Sequence, residues 1–423
     1  MNNILVIKLR YIGDVLLATP VLRSLRERFP DACLTITVLR GTEDVLKGNP
    51  DLTEVLVVER GGLAEQLRFL QSIRRRRFDC VIDLTDGDRS AVLSRFSGAP
   101  VRIGLNEEHR WRGLLYTTVV RPGPEATHRV ERNLETVRPL GIEPKACPLV
   151  LRIPPQDEAA AAGLLDDLAG EKLSDGSKAL VMLQPGARYW FKAWPVERFA
   201  ELAGRLAARY GCRILVGGDA KERGLAEAIR AGAQAPVVPL AGRLTLLQYT
   251  AVLKRCSLFV GNDNGPMHMA AALGVPVVAL FGPSDPAEWG PRGGRAEVLY
   301  KGLDCRRCFH PTCTRGEESC MKQITVEEVF AAATKLLVGG EKKETVPRAT
   351  DGEEEMMKTG DKTDAVESRR ITENLLRCAE LTDLCLQLRL AVLKQEYLDH
   401  ETRQKVMSEV RQAKEQAWRR NPS

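Results

Sequence analysis

Val260-Gly261-Asn262-Asp263-Asn264-Gly265-Pro266-Met267-His268-Met269-Ala270-Ala271-Ala272-Leu273-Gly274-Val275-Pro276 reads as a buried strand, a polar loop and a helix of small residues. A second apolar strand, 277–281, follows at once. Backbone N–H groups at the start of such a helix lack partners, and the helix dipole adds partial positive charge there. Together they make a seat for a diphosphate. Asp263, Asn264 and His268 stand beside that seat, suited to hold hydroxyls. One such loop is a weak signal. It gains weight from a second turn far upstream, Arg10-Tyr11-Ile12-Gly13-Asp14-Val15.

Around both turns the chain alternates strand and helix. In the first half the pattern predicts strands at 4–9, 33–39, 54–58 and 80–83 and helices at 15–29, 43–48, 63–76 and 127–141. An Ala-rich helix over 158–168 follows a Pro-rich stretch. Strands are then predicted at 179–184, 213–217, 237–239, 258–260 and 277–281, with helices at 196–210, 220–231, 246–254 and 267–273. The β-α-β order with short connections predicts two doubly wound parallel α/β domains, with ligand loops at the carboxyl ends of the strands. The expected divisions are 1–160, 161–338, a charged linker 339–366 with almost no bulky apolar residues, and a helical extension 367–418 that lacks Pro and Gly.

Composition narrows the function. No window reaches about 18 consecutive apolar residues, so no membrane span is expected, and the N-terminus reads as a first strand rather than a signal peptide. The first 340 residues carry a net charge of +7 and the remainder −1, which suits an anionic ligand or surface. Aromatic residues make up 5% and do not interleave with basic runs, which argues against nucleic acid. Of 11 cysteines, those such as Cys33, Cys80, Cys212 and Cys256 fall in apolar segments, the usage of a reducing compartment. Cys305, Cys308, Cys313 and Cys320 cluster instead. Their spacing fits a structural zinc site, with loop disulfides or free thiols as alternatives.

Three more features carry chemistry. Asp14 sits at the first strand-to-helix turn, where it either faces a ligand or caps the helix, and Gly13 permits close approach. The segment Gly186-Ala187-Arg188-Tyr189-Trp190-Phe191-Lys192-Ala193-Trp194-Pro195 places Lys192 after the first strand of the second domain, as a point charge for phosphate or as a surface lysine. Gly217-Gly218-Asp219 with Glu222 follows the next strand. An acid there suits a ribose diol, and one of Asp219 and Glu222 is expected to serve the helix start. The first turn lacks G-x-G-x-x-G, which disfavours a dinucleotide oxidoreductase.

These four motifs, in this order, resemble the lipopolysaccharide heptosyltransferases, inverting glycosyltransferases of GT-B fold. The likeness covers residues 1–338. Residues 9–17, 128–134 and 190–194 are most similar to the heptosyltransferase III branch. The resemblance implies two Rossmann-like domains facing a cleft, the first binding the acceptor and the second the nucleotide sugar. It implies Asp14 as general base. Lys192 and the backbone around Gly265, Pro266 and Met267 would hold the diphosphate of ADP-heptose, with no metal or other cofactor required for catalysis. Asp263 would bind heptose hydroxyls, with Asn264 and His268 supporting the loop, and Glu222 the ribose. Some relatives have two hydroxyl residues where this chain has Ala187 and Arg188, which makes Arg188 an extra phosphate candidate. Arg10, Gly13, Arg60 and His128 would meet the acceptor, the lipopolysaccharide core. The implied location is the cytoplasmic face of the inner membrane, held peripherally by charge. A different nucleotide sugar and a non-catalytic binding role remain alternatives. The helical extension is expected to self-associate or dock.

Overall fold

Among the described residues, twelve strands form two six-stranded sheets in which every neighbouring pair is parallel. The structure is a computed structural model that describes residues 1–59, 63–170, 179–305, 313 and 315–338. Arg60, Cys308 and the expected segments 339–366 and 367–418 lie outside the described residues.

The first half contains β1 (Asn3–Lys8), α1 (Ile12–Leu16), α2 (Thr19–Arg28), β2 (Cys33–Leu39), β3 (Glu54–Val58), α3 (Leu63–Arg75), β4 (Cys80–Asp83), α4 (Asp88–Phe96), β5 (Val101–Leu105), β6 (Thr118–Val120), α5 (Arg129–Leu134) and α6 (Pro155–Gly170). The second contains β7 (Leu180–Gln184), α7 (Val196–Tyr210), β8 (Arg213–Val216), α8 (Arg223–Gly232), β9 (Val237–Pro239), α9 (Leu246–Lys254), β10 (Leu258–Asn262), α10 (Gly265–Ala272), β11 (Val277–Phe281), α11 (Pro286–Trp289), β12 (Ala296–Tyr300), α12 (Cys320–Gln323) and α13 (Val326–Val338). The sheet orders are β3-β2-β1-β4-β5-β6 and β12-β11-β10-β7-β8-β9. Each sheet therefore reverses direction once, between β1 and β4 and between β7 and β10. Such a reversal opens a crevice at the carboxyl ends of the strands. The loops after β1, β7 and β10 all leave from these two points.

The central strands are continuous apolar runs because helices cover both faces. In β1, Ile4, Leu5, Val6 and Ile7 are all fully buried, as are Phe259 and Val260 of β10. One apolar cluster runs through both halves and joins Val15, Leu22 and Ile82 to Met267, Met269 and Phe281. No described helix is long and apolar enough to cross a membrane.

The alternation predicted from sequence is present, with local differences. The helix expected over 15–29 is two helices. Pro20 supplies no N–H, so Val21 N–H bonds the Ala18 carbonyl at 3.1 Å and the Thr19 hydroxyl caps the Leu16 carbonyl at 2.8 Å. The helix expected over 127–141 is α5 followed by a tight 3₁₀ segment, Glu135–Leu140, which contains Pro139 and ends at Gly141 with φ +72°. The strands β5, β6 and β12 had no clear sequence signal. β5 is interrupted by Arg102 and Gly104, β6 is three residues long, and β12 is a half-exposed edge. The boundary expected at residue 160 falls inside α6, which packs on α9 of the second half and pairs Glu158 with Lys254 at 2.7 Å.

Phe199 of α7 is fully buried, edge-on to Trp194 with ring centroids 4.8 Å apart. Phe199→Ala is expected to cost about 3–5 kcal/mol, read from the urea unfolding midpoint at unchanged slope.

Candidate functional site

The site is assembled where the helices that follow the two central strands meet. α1 follows β1 and α10 follows β10, and their first turns are in contact. A Cβ built on Gly13 would lie 2.9 Å from His268 Cδ2 and 3.4 Å from Gly265 Cα. A Cβ on Gly265 would lie 3.3 Å from Ile12 Cβ. Two glycines thus let two backbones approach without side chains between them.

On the first-half side, β1 ends in Lys8, and Leu9 N–H donates to the Thr85 hydroxyl at 2.8 Å. Asp14 lies in the first turn of α1. The N-cap of that helix is Tyr11 and no side chain caps it, so the capping alternative for Asp14 does not hold. Its carboxylate instead lies 3.8 Å from the Lys8 ammonium and is 15% exposed. Arg10 donates from Nε to the Thr85 carbonyl at 3.1 Å, which fixes its stem beside the same turn.

On the second-half side, two loops are tied together by asparagines. Asn262, fully buried, accepts from Trp194 N–H at 3.1 Å and donates to the Pro185 carbonyl at 2.7 Å. Asn264 caps α10 by accepting from Met267 N–H at 3.1 Å, and its amide donates to the Gly186 carbonyl at 2.8 Å. These bonds hold the loop after β7 against the loop after β10. Lys192 is thereby brought to Asp263, with Nζ 2.6 Å from Oδ2. Pro266 takes an early helix position, where its missing N–H costs nothing.

His268 joins the two sides. Its ring is buried, its Nδ1 has no hydrogen-bond partner, and burial pushes its pKa down. The carboxylates of Asp263 and Asp14 oppose that shift, and the Lys192 ammonium adds to it. Two carboxylates, Asp14 and Asp263, and one cation, Lys192, contributed by three loops, therefore act on one buried ring. An orphaned buried polar atom of this kind marks a place for a ligand donor or a water.

Glu222 and Asp219 divide their work. Asp219 caps the short turn Ala220–Glu222 by accepting from Lys221 and Glu222 N–H groups, while Glu222 reaches back to Asp219 N–H at 3.0 Å. The Glu222 carboxylate also meets Gln184 Nε2 at 3.3 Å and crowds Gly186, where any Cβ would overlap it. Burial raises its pKa above the usual carboxylate range. The second contact across the cleft was not foreseen: the Arg188 guanidinium stacks 3.4 Å from the centroid of the Tyr11 ring. An arginine and an aromatic residue on facing loops are its only sequence signal.

Two expectations need correction. His128 is buried, caps α5 through Nδ1 to Val130 N–H at 3.2 Å, and donates from Nε2 to the Gly290 carbonyl at 2.9 Å. Both ring nitrogens are committed, so this side chain is a tie between the halves and not an acceptor contact. Burial lowers its pKa to about 4. The zinc reading finds no support: among the described residues no disulfide joins Cys305, Cys313 and Cys320, and no three His, Cys, Asp or Glu side chains converge as metal ligands. The three thiols line a cavity of about 370 Å³ together with Phe191, Trp194 and Met321.

Comparison with known proteins agrees with this geometry. The family described as glycosyltransferase family 9 (heptosyltransferase) matches residues 66–321. Lipopolysaccharide heptosyltransferase 3 of Escherichia coli is 30% identical over 341 residues, covering 78% of this chain and 97% of that protein. Lipopolysaccharide heptosyltransferase 2 of Salmonella typhimurium is 28% identical over 344 residues, covering 79% and 98%. Among solved structures, a family 9 glycosyltransferase from Veillonella parvula superposes with a TM-score of 0.70 at 26% identity, covering 80% of this chain and 98% of that one. ADP-heptose lipopolysaccharide heptosyltransferase II of E. coli gives 0.65 at 26% identity, covering 81% and 100%. The expected GT-B architecture is therefore correct for the described residues.

Two outcomes follow from the junction. Gly13→Ala should cost about 1–3 kcal/mol in unfolding free energy, because the added methyl meets His268 and backbone. His128 is neutral in the fold and protonates more readily when unfolded. Stability should therefore be full above about pH 6.5 and fall by up to roughly 3 kcal/mol as pH drops toward 4. His128→Asn, which keeps a capping side chain, should flatten that part of a pH series of urea melts.

Proposed function

The chain belongs to glycosyltransferase family 9 (heptosyltransferase), and on that premise we propose that it moves heptose from ADP-L-glycero-D-manno-heptose onto an inner-core sugar of lipopolysaccharide, with inversion. The observation that carries this reading is the junction itself. It sets a lone carboxylate, Asp14, beside a cation and hydroxyl-binding groups, Lys192, Asp263 and His268, from the opposite half.

In this mechanism Asp14 takes the proton of the acceptor hydroxyl as its oxygen attacks the anomeric carbon. One carboxylate suffices, since inversion is a single displacement. The bond from that carbon to the diphosphate breaks, and negative charge grows on the leaving ADP. Lys192 and the N-terminus of α10 around Gly265, Pro266 and Met267 stabilise that charge. Before the donor arrives Lys192 is held by Asp263 at 2.6 Å. Donor binding exchanges this pair: the ammonium turns to phosphate, and Asp263 accepts from sugar hydroxyls. Asn264 and His268 keep the loop in register. Glu222, beside Gly186, receives the ribose. Arg188 leaves the Tyr11 ring for phosphate. Arg10 and Arg60 meet the anionic acceptor, with Gly13 giving it close approach to Asp14. The enzyme works peripherally at the cytoplasmic face of the inner membrane, and the extension beyond residue 366 mediates self-association.

Calorimetric titration with ADP and UDP, without added metal, tests the donor. ADP is expected to bind in preference to UDP, and Lys192→Ala to weaken it at least about tenfold. Asp14→Asn should leave ADP binding intact while kcat falls by about 10²–10⁴. Turnover should persist in EDTA. Preference for UDP would assign a different sugar, and a fully active Asp14→Asn would remove the base.

A further inference from the structure

Lys8 ends a strand that otherwise reads Ile4-Leu5-Val6-Ile7, and its side chain is only 2% exposed. An apolar residue would complete this strand without desolvating an ammonium. The cost of burying that charge calls for a reason. Three observations define its surroundings. The ammonium donates to the Leu84 carbonyl at 2.7 Å, on the loop that leaves β4. It lies 3.8 Å from Asp14 Oδ1. The other charges that reach it are Asp83 at the end of β4, Arg10 on its own loop, and Arg129 of α5.

Those neighbours have work of their own. Asp83 is buried and accepts from Tyr116 OH at 2.8 Å and Thr85 N–H at 2.8 Å. Arg10 donates to the Thr85 and Asp86 carbonyls. Arg129 is held by Glu107 and Glu288. Among the described residues, Lys8 is the cation paired with Asp14.

We infer that Lys8 is a positioning residue for transfer: its ammonium, pinned on the Leu84 carbonyl, offsets the charge of an anionic donor at the Asp14 carboxylate and keeps that carboxylate aimed. The inference rests on Asp14 being the base. The need arises from the donor. Two phosphates entering beside a carboxylate disfavour its charged form, and a fixed cation at ion-pair distance opposes that effect. Burial lowers the Lys8 pKa to about 8, with Asp14 pulling it back up. The ammonium therefore predominates at neutral pH. The pinned strand-end geometry also limits its motion, so it cannot swing to the phosphates as Lys192 can.

The test compares Lys8→Gln, which keeps a donor for the Leu84 carbonyl but no charge, with Lys8→Met and Lys8→Arg. ADP release from ADP-heptose is followed against pH, with lipopolysaccharide truncated in its heptose region as acceptor. In Lys8→Gln and Lys8→Met, kcat should fall at least about tenfold at neutral pH with donor KM unchanged. The acid limb of the kcat profile should move up by about one to three pH units. Lys8→Arg should return the limb toward its wild-type position. ADP titration reports that each variant is folded, so loss of one leaves the other two to decide. An unmoved acid limb in a folded, uncharged variant overturns the inference even if kcat drops, because loss of packing alone does not shift it. Asp14→Asn separates the two readings. If it is inactive while Lys8→Gln keeps the wild-type limb, only the role of Lys8 falls. If it is fully active, both fall.

Discussion

The close approach of α1 to α10 is the constraint on which the remaining structure depends. With Gly13 and Gly265 at the contact, the turn after β1 that carries Asp14 packs directly on the start of the helix after β10. Everything else holds this approach in place. The apolar cluster shared by both halves supplies most of the driving force, since it removes Val15, Leu22, Met267 and Met269 from water together. Directional ties then set the register: His128 to the Gly290 carbonyl, Arg129 between Glu107 and Glu288, and Arg188 on Tyr11. Several of these are partly buried, where they resist screening better than exposed pairs.

The electrostatics of the junction follow from the same packing. The described residues place Lys8 and Asp14 on one side and Lys192 and Asp263 on the other, with the His268 ring between them. Each cation is satisfied by a carboxylate in this state. A donor that brings its own negative charge and hydroxyls can replace one of these pairs at little net cost, because both ions regain partners. Asn262 and Asn264 matter for another reason. They satisfy backbone carbonyls of the facing loop, so the shape of the two loops does not depend on the charged pair.

Much of this was legible in the sequence. The strands at 33–39, 54–58 and 80–83 and the helix at 196–210 were readable to the residue, because apolar runs and helical periodicity are local signals. Pro20 and Pro139 were visible but their effect was underrated: each breaks or tightens a helix whose apolar spacing continues past it. β5, with a charged residue and a glycine, and the short β6 are strands only because a neighbouring edge pairs with them. Asp219 and Glu222 were equally good helix-start acids on paper, and their spacing of three residues could not say that Glu222 would also fold back onto Gly186.

The sequence by itself determined the doubly wound alternation, its repetition, and the residues that stand at the carboxyl ends of strands. Those features are encoded in periodicity and turn chemistry over a few residues. The tertiary structure alone decided which of those residues meet. Asp14 and His268 are over 250 positions apart, and only the packing of one half on the other joins them. It also decided that His128, plausible as an acceptor contact, spends both nitrogens on caps and ties. Whether a polar side chain faces a ligand or a backbone carbonyl depends on what the fold places within about 3 Å of it, and no local pattern carries that information.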